Sequence, residues 1–380
     1  MKSILKIILF IIFLENITNG QELKVSNSNG VFINYNTRIG APIVLNQGSG
    51  DRVLTPTRFV IMDPTSDTEK LSIEYKNVLK YVLGIYSKII VSNQPINVLV
   101  KKQDLGTVTL ANCVTTSYYN SEQSSFQPNY QYHIALAEAI KDVNLNGAEA
   151  EMIITVNINN SIVWNLDTTG VCVSNKYDLA TVLMHEVLHG LGFTSSIQAN
   201  KENFTAISKF NGCQTNTEGY FSTIYDKYIV QENYITAQIL AENSNTYSMY
   251  NNCIDGSVYY SGINTNNFLN AQGIYDLPKI YAPSEWATGS SICHLDENTY
   301  PAGNTNSLIT PNFGLNEVNH SIGEIAAKIL EDLGWTINTV ITITNPTNIS
   351  EWTRGETYNL TFTSNKSLNT LNYKIGRAHV

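Results

Sequence analysis

The chain has 380 residues, enough for two or three domains and at least one large core. Charged residues make up only 14% and the net charge is −9, with no basic block, so nucleic acid and anionic membrane surfaces are excluded as expected partners. Five widely and irregularly spaced cysteines (Cys113, Cys172, Cys213, Cys253, Cys293), with no CxxC, argue against a cysteine zinc cluster.

In chain order, residues 1–20 read as a secretory signal peptide. Lys2 and Lys6 form a positive start, Ile7 to Leu14 an apolar run too short to span a bilayer easily, and Thr18 and Gly20 the small residues before a cleavage site, so the mature chain is expected to begin at Gln21. No second apolar stretch is long enough to span, so a secreted protein without membrane insertion after signal removal is expected. In that compartment the cysteines should pair, with one left over.

Residues 21–50 are rich in Asn and Gly and suggest irregular or short β structure; they have room for a short pro-segment but carry no inhibitory ligand. A first domain is expected over 51–338. In residues 69–90, Leu71, Tyr75, Val78, Leu79, Val82 and Tyr86 recur at helical spacing. Residues 96–104 and 107–119 read as strands, 132–140 as a helix, and 151–159 as a strand with Met152, Ile154, Val156 and Ile158 on one face. Helical period returns in YDLATVLMHEVLHGLG. This order predicts a mixed α/β (α+β) layer, with that helix packed on a twisted sheet. Residues 193–290 read as a loop-rich insertion whose best candidate for order is 219–235. Residues 320–335 read as a helix, with Ile322, Ile325, Ala326, Ile329, Leu330 and Leu333 in register and Gly334 closing it. Beyond 338 the chain is β-rich and resembles the first strands of a secreted immunoglobulin-like sandwich. Such a module needs roughly 90–100 residues to close, so 339–380 would be incomplete. The final IGRAHV reads like translated adapter DNA, and the native chain is expected to continue.

The stretch TVLMHEVLHGLGFTSS, residues 181–196, carries the chemistry. On a helix, i and i+4 share a face, so His185 and His189 can present imidazole nitrogens to one ion. Glu186 lies beside the first ligand, placed to take a proton from a zinc-activated water as general base and pass it to a leaving amine. Gly192 falls where such a helix can turn off in a left-handed cap. A catalytic zinc takes three protein ligands. In the compact HExxHxxGxxH pattern the third would stand at 195, but that residue is Ser195, so the ligand must come from farther along. His133 reads as a surface or capping residue. His320 opens the last helix, an electrostatically poor place for a cation. Glu324 offers a carboxylate alternative. His294, in the Gly/Ser loop ATGSSICHLDE, is the favoured ligand. Asp296 is either an acceptor that orients His294 or a turn aspartate, and Cys293 is expected to pin the loop through a disulfide rather than bind metal.

HEVLHGLGF, a long insertion, GSSICHLD, NSLITP and ILEDLGW together resemble the secreted metzincins of the leishmanolysin-like kind, over about residues 50–336. The resemblance implies one catalytic Zn2+ held by His185, His189 and His294, Glu186 as catalytic base, and protein or peptide substrates. It also implies a mixed-sheet upper domain, a cleft crossed by the site helix, and a lower domain made largely of loops. The Met-turn position falls on Ile309, a departure that an apolar residue of similar bulk should tolerate at modest packing cost. Two other readings remain: a non-catalytic surface or adhesion protein that keeps the fold, and a gluzincin-type peptidase using Glu324. Tyrosines in 219–281 are candidate oxyanion donors.

Overall fold

The computed structural model describes residues 56–120, 123–173, 175–208, 222–231, 239 and 246–345, and beyond these only the strands Ile11–Glu15, Glu22–Val25, Ile43–Leu45, Tyr358–Ser364 and Thr370–Lys374. The cleavage site at Gln21, the rest of the 21–50 segment, Cys213 and the IGRAHV end lie outside the described residues.

The chain divides into two compact units, residues 54–337 and residues 1–53 with 338–380. In the second unit, Glu22–Val25, Tyr358–Ser364, Thr339–Asn345 and Ile43–Leu45 form a sheet in that order, every pair antiparallel. Ile11–Glu15 pairs antiparallel with Thr370–Lys374.

The larger unit is a mixed α/β structure with small sheets; six helices are described. Its main sheet holds β1 (Phe59–Met62), β2 (Ile96–Gln103), β3 (Ala111–Thr115) and β4 (Met152–Asn157), in the order β1-β2-β4-β3. β1, β2 and β4 run parallel, and β3 closes one edge antiparallel to β4. Parallel neighbours require crossovers. The first is α1 (Ile73–Ile89), which buries Val78, Leu79, Val82, Leu83, Ile85, Tyr86 and Ile89, so the helix foreseen in 69–90 forms with its apolar stripe inward. The second includes α2 (Ile134–Lys141). Alternation holds in β2, where Ile96, Val98 and Val100 are buried; β4 buries Met152, Ile154 and Val156 but also Thr155 and Asn157, and Ile158, expected on the same face, lies past the strand and is exposed.

Helix α3 (Leu179–Gly190) packs on β3, β4 and α1. Eleven of its residues are buried, so its surroundings and not an amphipathic stripe hold it. The Tyr86 hydroxyl on α1 donates to Met184 O, 2.6 Å away. At Gly190 α3 lies close on β4: a Cβ there would stand 2.5 Å from Met152 Sδ, so a larger residue would require the Met152 side chain to shift. Gly192 takes φ 114°, the left-handed turn expected of it.

The described residues of 193–290 include two helices that the composition does not suggest. These are α4 (Thr246–Asn252) and α5 (Ile263–Ala271); of 219–235, the described residues 222–231 hold short pieces, among them the 3-10 turn Tyr225–Tyr228. Helix α6 (Glu324–Leu333) starts four residues later than expected and ends as foreseen at Gly334, φ 119°. Its Asp332 accepts from Asn264 N, Thr265 N and Thr265 Oγ1, anchoring the start of α5. Trp335 Nε1 donates to Leu191 O at 2.8 Å and ties the end of α6 to the turn after α3.

Candidate metal centre

Helix α3 starts on a strong cap. Asp178 Oδ1 accepts from Thr181 N and Thr181 Oγ1, both at 2.8 Å. His320 Nε2 donates to the same oxygen at 2.8 Å, and Asn165 Nδ2 to the other at 3.0 Å. His320 therefore does not open α6. It precedes that helix and braces the start of α3, with Tyr81 Oη 3.2 Å from its Nδ1.

One helical turn apart, His185 and His189 face a loop that carries His294. Their Nε2 atoms lie 3.0 Å apart, and His294 Nε2 is 3.2 Å from that of His189 and 3.1 Å from that of His185. Each ring is fixed from behind by a main-chain carbonyl: His185 Nδ1 to Leu308 O at 2.8 Å, His189 Nδ1 to Phe193 O at 2.7 Å, and His294 Nδ1 to Ser290 O at 2.8 Å. A carbonyl only accepts, so each Nδ1 carries the proton and each Nε2 is left with a lone pair. Burial lowers the pKa of all three rings, helped at His185 and His294 by neighbouring imidazoles: His189 to about 4, His294 to about 3, and His185 well below the usual range. All three are thus neutral at pH 7.

Three converging lone pairs with no proton to share repel one another, and a cation reverses the sign of that interaction. The spacing also fits. Zinc–imidazole bonds of about 2.0–2.1 Å in a tetrahedral shell put the nitrogens ~3.3 Å apart. Among the described residues, His185, His189 and His294 form the group of three His, Cys, Asp or Glu side chains close enough to hold one metal ion between them. An all-imidazole set suits zinc, copper, iron or nickel rather than calcium or magnesium.

Glu186 is 6% exposed, and among the described residues no donor engages its carboxylate. Burial pushes its pKa up to about 8. Glu324 opens α6 and is not part of the trio, so the carboxylate alternative for third ligand is not what the fold assembles. His133 is buried, not on the surface. It stands at the start of α2 without capping it, edge-on to Tyr118, with its Nδ1 unpartnered. Asp296 does not orient His294. It accepts from Thr299 N and Thr299 Oγ1, and the Ser290 carbonyl holds the imidazole instead. Cys113, Cys172, Cys253 and Cys293 carry no disulfide, so the bond expected at Cys293 is not found among the described residues. Ile309 is fully buried in the 3-10 turn Ser307–Ile309, beside the carbonyl that holds His185, and its own carbonyl accepts from Leu295 N. Tyr225 and Tyr228 direct their hydroxyls to Ile292 O and Asp332 O.

Ser195, at the position of the missing ligand, is a structural anchor. Its Oγ donates to Asp226 Oδ1, while Asp226 Oδ2 accepts from Ser196 N and Oγ and from Thr223 N and Oγ1. Asp226 thus holds the chain leaving α3. Sequence reasoning misses it, because an aspartate 31 residues from Ser195 carries no local signal. Compared with protein-family models and with curated proteins, the chain matches none.

Proposed function

We propose that this protein is a secreted zinc-dependent endopeptidase of the metzincin type, leishmanolysin-like, with His185, His189 and His294 as ligands and Glu186 as general base. The observation that supports it most is the trio itself: three neutral imidazoles fixed through Nδ1, with Nε2 atoms within 3.2 Å, and Glu186 adjoining one of them. A bound zinc ion would supply Lewis acidity toward water and toward a substrate carbonyl. Glu186 does the proton work. With no cation beside it, burial holds the Glu186 carboxyl largely protonated at neutral pH, with a pKa of about 8; the charge of a bound metal ion would favour the ionised form that accepts a proton. That carboxylate accepts a proton from the attacking water and delivers it to the amine nitrogen as the peptide bond breaks. The Leu308, Phe193 and Ser290 carbonyls keep the imidazoles from rotating during these steps.

The test is casein digestion and zinc content for wild type and Glu186→Gln. Wild type should bind one zinc and cleave. The variant should keep its zinc and lose activity by roughly a hundredfold or more, the usual contribution of a positioned base. A wild-type chain that binds no metal and cleaves nothing would favour the non-catalytic reading.

A further inference from the structure

Helix α2 ends at Lys141, and Asp142 turns left-handed at φ 55°. The residues there read Asp142-Val143-Asn144-Leu145-Asn146-Gly147, the D-x-N-x-N-G opening of a calcium-binding loop. Gly147 takes φ 73°, as the sharp turn at the sixth position of such loops requires. The twelfth position is Ile153 on β4, not glutamate, and the first and third positions are engaged elsewhere, Asp142 by Asn93 Nδ2 and Gln94 Nε2 and Asn144 Oδ1 by Gly147 N, so this is not an EF-hand and those two residues are not ligands. The carboxylates beside the loop come instead from Glu138 on α2 and Glu151 just before β4.

Glu138 is 1% exposed. Its Oε1 accepts from Leu145 N at 2.7 Å and Asn146 N at 3.2 Å, which draws the carboxylate against the loop. Its Oε2 is buried and has no hydrogen-bond partner among the described residues, and the same is true of Asn146 Oδ1. Glu151 is fully buried, and its carboxylate accepts from Asn97 N and Nδ2. Asn146 Nδ2 donates to Ala150 O at 3.3 Å, so the loop, Glu138 and the approach to Glu151 belong to one network. Burial raises the pKa of both carboxyl groups, and the charge of Glu138 raises that of Glu151 further; among the described residues no lysine or arginine offsets either. Two interacting buried carboxylates and two unpartnered oxygens form a site that lacks a positive charge.

We propose that this loop binds a calcium ion through Glu138 Oε2, Asn146 Oδ1 and the Glu151 carboxylate, joining the end of α2 to the start of β4. An all-oxygen donor set selects a hard cation, and its irregular arrangement suits calcium over magnesium, which demands near-octahedral geometry. The proposal does not depend on peptidase activity.

Wild-type protein, stripped on a chelating resin and reloaded with one equivalent of zinc, is dialysed against radioactive calcium, and its melting is followed with calcium or magnesium. One calcium per chain is expected, with a dissociation constant on the order of 0.1–1 mM, as in extracellular modules. Calcium should raise the Tm and magnesium should not match it. Glu138→Gln and Asn146→Ala should each bind calcium about tenfold more weakly or worse, as loss of one oxygen ligand predicts. Absence of binding to wild type up to ~10 mM, well above that range, overturns the proposal. Wild-type affinity in the variants overturns it too. Should Glu138→Gln fail to fold, Asn146→Ala decides alone. Zinc content and casein digestion, read on the same samples, report separately on the metal centre.

Discussion

His185, His189 and His294 each commit one ring nitrogen to a main-chain carbonyl, which fixes both tautomer and direction. The ligand assignment is tested by zinc retention. His294→Ala should lose zinc at a chelator concentration that leaves Glu324→Ala loaded, because Glu324 stands outside the trio. Equal retention in both variants would sink the assignment. The two helix histidines of the trio are legible in the sequence because a helix makes i and i+4 neighbours. His294 is legible as a favoured candidate in a Gly/Ser loop, strengthened by the resemblance. The three carbonyls that hold the rings are not legible, since main-chain acceptors leave no mark on residue identity. Asp296 misleads for the same reason: two positions from a ligand it suggests a partner, yet the neighbouring Thr299 takes it. His133 misleads because its polar neighbours in YQYH suggest a surface, whereas the strand Tyr130–His133 is buried between the sheet strand Ser222–Thr223 and Tyr118–Tyr119.

At the scale of elements, α3 depends on how its first turn is held. Asp178 serves four donor groups from Thr181, His320 and Asn165. Asp178→Ala should cost about 1–2 kcal/mol for the cap alone, and more for the donors left buried. The same residue gives a pH signature. Burial raises the carboxyl pKa, but His320, Thr181 and Asn165 outweigh it, and the net shift is downward. Its ionised form therefore contributes stability in full above the ordinary aspartate value, about 3.9, and loses it as pH falls through the lower folded value. Urea melts from pH 5 downward should show this loss in wild type and a flatter profile in Asp178→Asn; parallel profiles would refute it. Among the long elements, α1 and β2 are legible because hydrophobic period and burial coincide, and α3 and β4 because they are apolar along most of their length and buried on nearly every side. Helices α4 and α5 are not, because TYSMYNN and INTNNFLNA carry too many asparagines to display a clear period. They are held by tertiary contacts, as α5 is by Asp332 of α6.

At the scale of the molecule, the metal centre joins α3, the turn at 307–309 and the loop at 290–294, and so draws on distant parts of the larger unit. A metal ion bound by the trio would add directly to folding stability. With free zinc at a thousand times the dissociation constant, the gain is about 4 kcal/mol. Stripping the metal should lower the Tm by roughly 10 °C in a domain of this size. An unchanged Tm after verified zinc loss would mean that the imidazoles are held without help from an ion. Among the described residues no helix is long and apolar enough to cross a membrane.

The second and third imidazoles stand 105 residues apart, whereas a histidine at the position of Ser195 would have closed the cage within one short turn. By polymer-loop entropy the larger ring costs only about 2.5 kcal/mol more than a six-residue one, and a further twenty residues would add roughly 0.2 kcal/mol. Length between the two donors is thus almost unconstrained by thermodynamics. Surface loops of that tether can grow or shrink while the nitrogen cage keeps its shape, and a search demanding fixed spacing would pass over chains built this way.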